Sequence, residues 1–555
     1  DFGHLKPDAT GNLYYESLLP YLDTSYYNFA DVWKTYFHKG KIYFCSTNYF
    51  FIYDPDTQEI EVVDPHKHTL FGFIELDNFY AGSYTEGLMI VEDDTTLVVP
   101  GGEYYKLKNI FALEQFDHNR LIIGTPESGF SLYHTQTGNV DSSFASERAN
   151  RFARQNLISH LLALPGDRFL ISTQNGGLAT MNGEGQLEEI ITKSDGMQDR
   201  TVYYSYLNPR KSHNDPVWAA LSIGVSRVNL NSPFRIFRES AGFLGLINTI
   251  EQLDDDLYIG TKTGLYKLTF PEGKATFKRV GDSNRTVWDL QKFDLGTYGE
   301  ALLTAFEEGI ALLHPNGNIE YIDQKVRDKK QYQDSKYKSY IIYRDRFEPS
   351  RVYLGLRNNI AYLHYQDGTW TEEYMLENLR SEVRSITMDQ AGNLWFGTKI
   401  EGIGYTNPND TTSSVHFLGE EDGLPSNDGN YVTTVSEQLC IATKEGLYRF
   451  DSGSGTLVPD SAFNRALPEG KNSIFRIEED EREGEYWVSF ENSEHGWLIA
   501  KMKQDNEGYK ALYRPFLSLP DFSADAILNI PGKGVWFSNS NVLYHFDDTY
   551  PTGLD

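Results

Sequence analysis

The sequence predicts an all-β fold of two β-propellers, and its composition, its repeats and the pattern within each repeat support this prediction. Aromatic residues make up 14% of the 555 residues, and the chain has 37 Tyr, 33 Phe and 47 Gly. This composition is typical of many short strands joined by tight turns. Hydrophobic residues at 40% and charged residues at 23% indicate a globular protein. No apolar run approaches the ~18 residues of a membrane span, so no span is predicted within these residues.

One sequence motif recurs along the whole chain. A strand ends in two hydrophobic residues and a small residue, and a Gly-hydrophobic step follows four or five residues later. The copies stand about 45 residues apart, which is the length of one four-stranded propeller blade. The small residues of the twelve copies are Ser46, Gly82, Gly124, Ser172, Ala220, Gly260, Ala305, Gly355, Gly397, Ala442, Ser489 and Ser538.

The clearest copy shows the order of strands within a repeat. A first strand runs from Val383 to Asp389, a second from Leu394 to Thr398, and a third begins at Gly402. The small residue is predicted to face the next blade near the axis, where a large side chain would hold the blades apart. Aromatic residues two positions earlier are predicted to fill the wider gap between blades: Tyr80, Trp218, Tyr258, Tyr353, Trp395, Trp487 and Trp536.

Twelve blades imply two rings, because propellers typically have four to eight blades. The seven repeats from Gly260 to Ser538 predict a complete seven-bladed second propeller over residues 239–555. The first propeller, over residues 1–238, is predicted to be either seven-bladed or incomplete, with the chain beginning within its second blade. The boundary is expected between Asn231 and Leu246. Helix signals are weak, and the one candidate is a short helix or loop around Ser146 to Leu157.

These repeats resemble the two-component regulator propeller repeat, found in the ligand-sensing regions of hybrid histidine kinases and triple-tyrosine-motif regulators of Bacteroidetes. Asp389 to Thr398 and Gly423 to Asn427 are the segments closest to that family's consensus. The resemblance implies two seven-bladed propellers, then a β-sandwich with three tyrosines, a membrane span and an intracellular output module. This chain ends at residues 547–555, where the sandwich would start, so we expect it to lack output machinery.

Charge and cysteine content exclude several classes of protein. Acidic residues outnumber basic residues by 79 to 50, for a net charge of −29, which argues against a protein that binds nucleic-acid backbones. The two cysteines, Cys45 and Cys440, lie in hydrophobic strand-like runs and are predicted to be buried free thiols. A disulfide framework and a Cys-based zinc site are therefore excluded.

Catalytic motifs are absent from the sequence. It has no Gly-x-Ser-x-Gly, no His-Glu-x-x-His, no P-loop and no dinucleotide-binding glycine pattern. We therefore predict no enzyme activity and no cofactor for this segment. A polysaccharide-active hydrolase or lyase is the enzyme alternative, because Thr387 to Trp395 is similar to the Asp-box of sialidase propellers, although its Asp-to-Gly step is one residue too long.

Three polar clusters are candidate metal sites. His66 and His68 stand two residues apart beside a proline, and acidic runs occupy residues 254–256 and 478–481. None has the interleaved ligands and glycine of an EF-hand loop. Solvated turns are the favoured interpretation, so no metal site is predicted.

Residues at equivalent positions of the repeats predict a ligand site on the second propeller. The residue two positions after the small residue lies in the turn between second and third strands, and four of these turns carry a cation. The residue after the first-strand hydrophobe is often aromatic or basic. Cations beside aromatic rings at a cavity mouth suit a sugar face with an acidic substituent. The predicted ligand-binding residues are Lys262, Arg357, Lys399, Lys444, Arg384, Trp288 and Phe475, and the equivalents in the first propeller are Trp33, Phe111 and Tyr203.

The predicted function is a non-catalytic ligand-sensing module of a signal-transduction regulator, at the periplasmic or extracellular face of a bacterial cell. Its expected partner is a carbohydrate or other small molecule, with an anionic oligosaccharide favoured. A second copy of the full-length receptor is a further expected partner, and membrane contact is expected only through segments outside this chain. The alternatives are a structural or protein-interaction propeller of a cell-surface assembly, and the polysaccharide-active enzyme.

Overall fold

The structure is a computed structural model with an all-β architecture. It describes residues 1–8, 11–65, 69–92, 94–208, 216–230, 232–271, 275–281, 284–322, 335–410, 414–480, 482–506, 508–514, 516–519 and 522–547.

Two compact units divide the chain, Asp1–Ser232 and Pro233–Asp555. This division falls inside the expected boundary region, a few residues before residue 238. The division comes before residue 238 because the strand Phe234–Phe237 pairs antiparallel with the strand Val542–Phe546 at the other end of the second unit. Residues 233–238 therefore belong to the second unit.

The first unit consists of a two-stranded hairpin, four four-stranded sheets and a three-stranded sheet among its described residues. Its strands are β1 (Gly3–Pro7), β2 (Leu13–Ser17), β3 (Val32–His38), β4 (Lys41–Ser46), β5 (Phe50–Tyr53), β6 (Ile60–Val63), β7 (Thr69–Glu75), β8 (Asn78–Ser83), β9 (Gly87–Glu92), β10 (Thr95–Val98), β11 (Ala112–Gln115), β12 (Arg120–Thr125), β13 (Gly129–His134), β14 (Val140–Asp141), β15 (Ile158–Leu164), β16 (Arg168–Thr173), β17 (Leu178–Asn182), β18 (Leu187–Ile191), β19 (Val202–Tyr206), β20 (Val217–Leu221) and β21 (Val225–Val228).

The second unit contains seven four-stranded sheets among its described residues. Its strands are β22 (Phe234–Phe237), β23 (Ile247–Leu253), β24 (Asp256–Thr261), β25 (Gly264–Thr269), β26 (Thr276–Val280), β27 (Val287–Asp294), β28 (Glu300–Phe306), β29 (Gly309–Leu313), β30 (Ile319–Tyr321), β31 (Ile341–Arg344), β32 (Arg351–Gly355), β33 (Ile360–Gln366), β34 (Thr369–Leu376), β35 (Val383–Met388), β36 (Leu394–Thr398), β37 (Ile403–Thr406), β38 (His416–Leu418), β39 (Tyr431–Val435), β40 (Gln438–Thr443), β41 (Gly446–Asp451), β42 (Thr456–Pro459), β43 (Asn472–Glu479), β44 (Glu485–Asn492), β45 (Gly496–Asp505), β46 (Gly508–Leu512), β47 (Ala526–Ile530), β48 (Gly534–Asn539) and β49 (Val542–Phe546).

Helix is confined to short segments. The stretch predicted as a short helix or loop forms the helix α1 (Glu147–Asn156), and the Ser146 side chain caps it by accepting a hydrogen bond from the Ala149 amide. A single helical turn, α2 (Ser461–Asn464), was not predicted. Among the described residues, no helix is long and apolar enough to cross a membrane. The 3₁₀ turns are Leu19–Tyr21, Thr24–Tyr26, Gly102–Tyr105, Lys193–Asp195, Glu239–Ala241, Gly296–Tyr298, Glu420–Asp422 and Phe516–Ser518.

The sheets of the second unit form a closed ring. First strands of successive sheets are neighbours in the order β23, β27, β31, β35, β39, β43 and β47, and β47 returns to β23. The last sheet takes its fourth strand from β22, at the start of the unit. Joining the two ends of the unit in one sheet ties down both and leaves no open gap in the ring.

All twelve small residues lie in second strands, which confirms that prediction. A β-carbon added at Gly260 would lie 2.6 Å from Cγ1 of Val287, in the first strand of the next sheet. At Gly124 it would lie 2.6 Å from Cδ1 of Ile158, again in the next sheet. The residue must be small because the next blade packs directly on it.

Six of the seven aromatic residues two positions before the small residue are buried. Trp395 Nε1 donates to Asp389 Oδ2 at 2.8 Å, and Trp487 Nε1 donates to Asp480 Oδ2 at 2.7 Å. Trp218 differs, with 47% of its surface exposed, because it lies on the face of β20 opposite the buried Val217 and Ala219. The aromatic residue thus fills a gap between blades and also ties the second strand to the turn that precedes it.

Gly260→Ala should lower the free energy of unfolding of the second unit by about 1–3 kcal/mol, because the new methyl group must displace Val287. Gly453→Ala is the matched control, since the nearest atom to its new methyl group is 3.5 Å away. Urea unfolding followed by tryptophan fluorescence would measure both variants. Equal stability of the two variants would show that the blade-to-blade contact does not require a small residue.

Candidate functional site

The first strands of most sheets begin with a β-bulge. Pairing with the second strand skips one residue near the start of β3, β7, β15, β19, β23, β27, β35 and β43. A bulge leaves the extra residue unpaired and re-aims its side chain, often at the rim of a barrel or beside a binding site. Among those whose side chains the structure describes, the extra residues are Trp33, Ser159, Tyr203, Asn248, Trp288, Arg384 and Phe475.

Two of the predicted ligand-binding residues meet in the second unit. The rings of Trp288 and Tyr340 are 5.2 Å apart in an edge-to-face arrangement. The guanidinium carbon of Arg384 lies 4.3 Å from the Tyr340 ring centre and 5.8 Å from that of Trp288. Trp288, Tyr340 and Arg384, here called the Trp288 cluster, come from the beginnings of three successive first strands. This arrangement presents aromatic rings and a cation together.

Tyr340 was missed in the sequence analysis. Its amide donates to the Gly355 carbonyl at 2.9 Å, immediately before the pair Ile341 and Gly355 in the β31–β32 ladder. The polar stretch that precedes it lengthens this repeat and obscures its register, and residues 323–334 of that stretch lie outside the described part of the chain. The number of residues between this position and the small residue differs from repeat to repeat, so counting back from Gly355 does not identify Tyr340 either.

Glu382 holds the cations of this region in place. Its Oε2 accepts hydrogen bonds from Nε of Arg384, at 3.1 Å, and from Nη2 of the same residue, and Lys399 Nζ lies 3.6 Å away. Burial alone would raise the pKa of Glu382, but the bonds and charges of Arg384 and Lys399 outweigh it and lower the pKa. Glu382 is therefore an anion that offsets part of the charge of both neighbours.

The four predicted rim cations lie in turns at the same end of their sheets, as the repeat register predicted. All four side chains are exposed. Lys399 pairs with Glu382, and Lys444 pairs with Asp428 at 2.6 Å. Lys262 and Arg357 have no ion-pair partner within the described ranges. The four cations are thus of two kinds, and only Lys262 and Arg357 retain an uncompensated charge.

Phe475 stands apart from the Trp288 cluster. Its ring packs 4.9 Å from that of Trp497 in the β43–β46 sheet. No contact with the Trp288 cluster is found for it among the residues that the structure covers. The seven predicted residues therefore divide into the cluster, the rim cations and this separate aromatic pair.

The candidate metal clusters have other roles. His66 and His68 lie outside the described residues. Asp255 pairs with Lys533 at 2.6 Å in an exposed turn. Asp480 corrects the expectation of a solvated turn, because it is buried and lies 3.1 Å from Lys501. Within the described part of the chain, no group of three or more His, Cys, Asp or Glu side chains could hold a metal ion.

Two surface cavities occur in the first unit, of about 430 and 470 Å³. One is lined by Asn78 and Pro100 and the other by Lys41 and Asp54. Both lie at the end of the strands opposite the bulges. Neither is lined by a predicted ligand-binding residue or by a residue of the Trp288 cluster.

Comparisons with known proteins agree with the resemblance drawn from the repeats. Residues 379–399 match the family described as two component regulator propeller. This segment includes Arg384, Asp389 and the small residue Gly397. No curated protein matches the chain in sequence.

A solved structure of similar fold supports the propeller architecture. The extracellular domain of a hybrid two component system from B. thetaiotaomicron superposes with a TM-score of 0.65 and 18% identity, over 93% of this chain and 68% of that chain. A second such domain from B. thetaiotaomicron gives 0.46 and 16%, over 95% of this chain and 71% of that chain. PorZ, a surface component of the type-IX secretion system of Porphyromonas gingivalis, gives 0.29 and 12%, over 92% and 78%.

The predicted resemblance is therefore confirmed: residues 379–399 carry the two-component regulator propeller repeat, and the fold is similar to that of a hybrid two component system's extracellular domain.

Proposed function

We propose that this chain is a non-catalytic sensing module of a signal-transduction regulator, located outside the cytoplasm, and that it binds an acidic oligosaccharide at the Trp288 cluster. The observation that carries the proposal is the convergence of Trp288, Tyr340 and Arg384 from three successive blades. Similarity of fold to an extracellular domain of a hybrid two component system supports the location and the sensing role.

The chemistry of the cluster suits a sugar. An aromatic ring offers an apolar face against the C–H face of a pyranose, and Trp288 and Tyr340 are two such rings at one end of the ring of blades. Arg384 is held in a fixed orientation by Glu382, so little entropy is lost when it donates to a ligand. Its remaining donors suit a carboxylate or sulfate.

Charge on the rim favours an acidic substituent. Lys262 and Arg357 are exposed and uncompensated in a chain of net charge −29. A local positive region of this kind raises the concentration of anions near the site. A neutral oligosaccharide would use the rings alone and bind more weakly.

Trp288→Ala and Arg384→Ala should each weaken binding of an acidic oligosaccharide by about tenfold or more, through loss of the ring face or of charged hydrogen bonds. Isothermal titration with a galacturonate tetramer, a heparin-derived tetrasaccharide and neutral xylotetraose would measure this. Trp218→Ala and Arg465→Ala are matched controls, because both side chains are exposed and neither belongs to the cluster.

Binding of none of the three sugars to the wild-type protein would contradict the proposal, as would binding that is unchanged in both cluster variants. Release of shorter sugars during the titration would contradict the non-catalytic assignment and favour the polysaccharide-active alternative.

The rim cations give a second prediction. Lys262→Ala with Arg357→Ala should weaken binding of the acidic tetramer by about tenfold and flatten its salt dependence, because these charges are uncompensated. Lys399→Ala with Lys444→Ala should have a smaller effect, since carboxylates already offset those charges. Titrations at low and high salt would compare the two double variants. A larger loss in the Lys399 and Lys444 variant would show that the ion pairs open when ligand binds and that the rim assignment is wrong.

A further inference from the structure

Hydrogen bonds from backbone to side chain join the first strands of neighbouring blades. In three of the described first strands, the residue that pairs with the small residue of its own blade accepts such a bond. The donor lies in the next first strand, one position after the residue that pairs with that blade's small residue. The bonds run from the Ser205 amide to His160 Nδ1 at 3.3 Å, from the Ile342 amide to Asp289 Oδ2 at 2.8 Å, and from the Val432 amide to Ser385 Oγ at 2.9 Å. Each bond fixes one first strand against the next.

Asp289 bonds to both of the blades that flank its own. Its Oδ2 accepts from the Ile342 amide in β31, and its Oδ1 accepts from the Leu290 amide at 2.9 Å. The Thr249 hydroxyl of β23 also donates to Oδ1, at 3.4 Å. A carboxylate can accept all of these bonds because it has two oxygens, whereas a serine has one. Asp289 therefore joins the first strands of three successive blades.

Asp289 accepts these bonds as an anion at neutral pH. Burial raises its pKa to about 6, and the bond from the Ile342 amide and the charge of Arg476 oppose a larger rise. A group with a pKa of about 6 is mostly ionised at pH 7.5. The Ile342 amide depends on this acceptor, because Ile342 is only 1% exposed and a buried amide without a partner is costly.

The bond between Asp289 and Ile342 lies next to both rings of the Trp288 cluster along the backbone. Trp288 directly precedes Asp289 in β27, and Tyr340 stands two residues before Ile342. The Tyr340 amide donates to the Gly355 carbonyl, so the backbone from Tyr340 to Ile342 is held at both ends. One carboxylate thus sets the strand that follows Tyr340 against the strand that carries Trp288.

We propose that Asp289 is a positioning residue of the Trp288 cluster: its bond to the Ile342 amide holds the Tyr340 ring where Tyr340 and Trp288 contact the same ligand. The inference rests on the proposed function, because it takes the cluster as the ligand site. Asp289 is buried, so it acts through Tyr340 and not by contact with a ligand. A binding group must be held within about 0.5 Å of its working position. A shift of β31 would therefore weaken binding, while Glu382 would still hold Arg384.

The test compares two substitutions of Asp289 in the full chain, titrated calorimetrically at pH 7.5 with the galacturonate tetramer and the heparin-derived tetrasaccharide. Asp289→Ala removes the acceptor and should weaken binding by about tenfold or more. Asp289→Ser keeps one oxygen, as Ser385 does at the same position, and should stay within about threefold of the wild type. Ser489→Ala is the matched control and should bind like the wild type. It removes a 2.8 Å bond from the Ala524 amide, between blades that carry no residue of the Trp288 cluster.

A double-mutant cycle with Tyr340 separates positioning from general loss of stability. In a Tyr340→Ala background, Asp289→Ala should weaken binding by less than about twofold, because the ring that Asp289 positions is gone. Near-ultraviolet circular dichroism of the ligand-free protein gives a second readout. Asp289→Ala should lose the same aromatic signal that Tyr340→Ala loses, and Asp289→Ser should keep it.

Three results would overturn the proposal: Asp289→Ala that binds like the wild type, Asp289→Ser that loses as much affinity as Asp289→Ala, or an equal loss in the Tyr340→Ala background. If Asp289→Ala does not fold, Asp289→Val takes its place with the same expected loss, since valine fills more of the volume. If the wild type binds neither sugar, the proposed function fails and the ligand-free dichroism decides. An aromatic signal unchanged in the alanine variant would then overturn the positioning role, and a signal lost there but kept in Asp289→Ser would support it.

Discussion

The rest of the structure depends on one contact between neighbouring blades. A small residue in one blade packs against the first residue of the first strand, here also called the inner strand, of the next blade. Gly260 packs on Val287, Gly355 on Val383, and Gly124 on Ile158. At Ser489 the hydroxyl adds a hydrogen bond to the next blade, since its Oγ accepts from the Ala524 amide at 2.8 Å, whereas the Ser46 hydroxyl donates to the Tyr49 carbonyl of its own blade. A larger side chain would separate neighbouring inner strands. The recurrence of a small residue about every 45 residues and the packing of the blades into a ring therefore both follow from this contact.

The same contact positions the candidate sites. The residue that packs on the small residue is followed directly by the residue that bulges out of the inner strand: Val287 precedes Trp288, Val383 precedes Arg384, and Ile158 precedes Ser159. Blade packing therefore fixes where the bulged side chains point. A different residue at the bulge changes the side chains at the rim without changing how the blades pack. The two units use this freedom differently, with a cation at Arg384 in one and an exposed ring at Trp33 in the other.

Local pattern sufficed to predict the second strands and the resemblance to the propeller repeat, and it marked the stretch of α1 as a short helix or loop, because each depends on residues close in sequence. Three features depend on distant residues and were not predictable. The ion pairs of Lys399 and Lys444 require partners from turns that pattern alone does not align. Tyr340 follows a long polar stretch that obscures the repeat. The ring contact between His160 and Tyr204 joins the first strands of two blades, and no local signal marks these two residues as neighbours.

The central claim is that the beginnings of the inner strands form the ligand-binding face. Hydrogen–deuterium exchange with and without a saturating acidic oligosaccharide tests it most directly, because the amide of a bulged residue is not protected by the ladder. Slower exchange in residues 286–289, 338–342 and 382–386 is the result expected. Protection confined to the turns at the opposite end, residues 254–256 and 390–393, would contradict the claim.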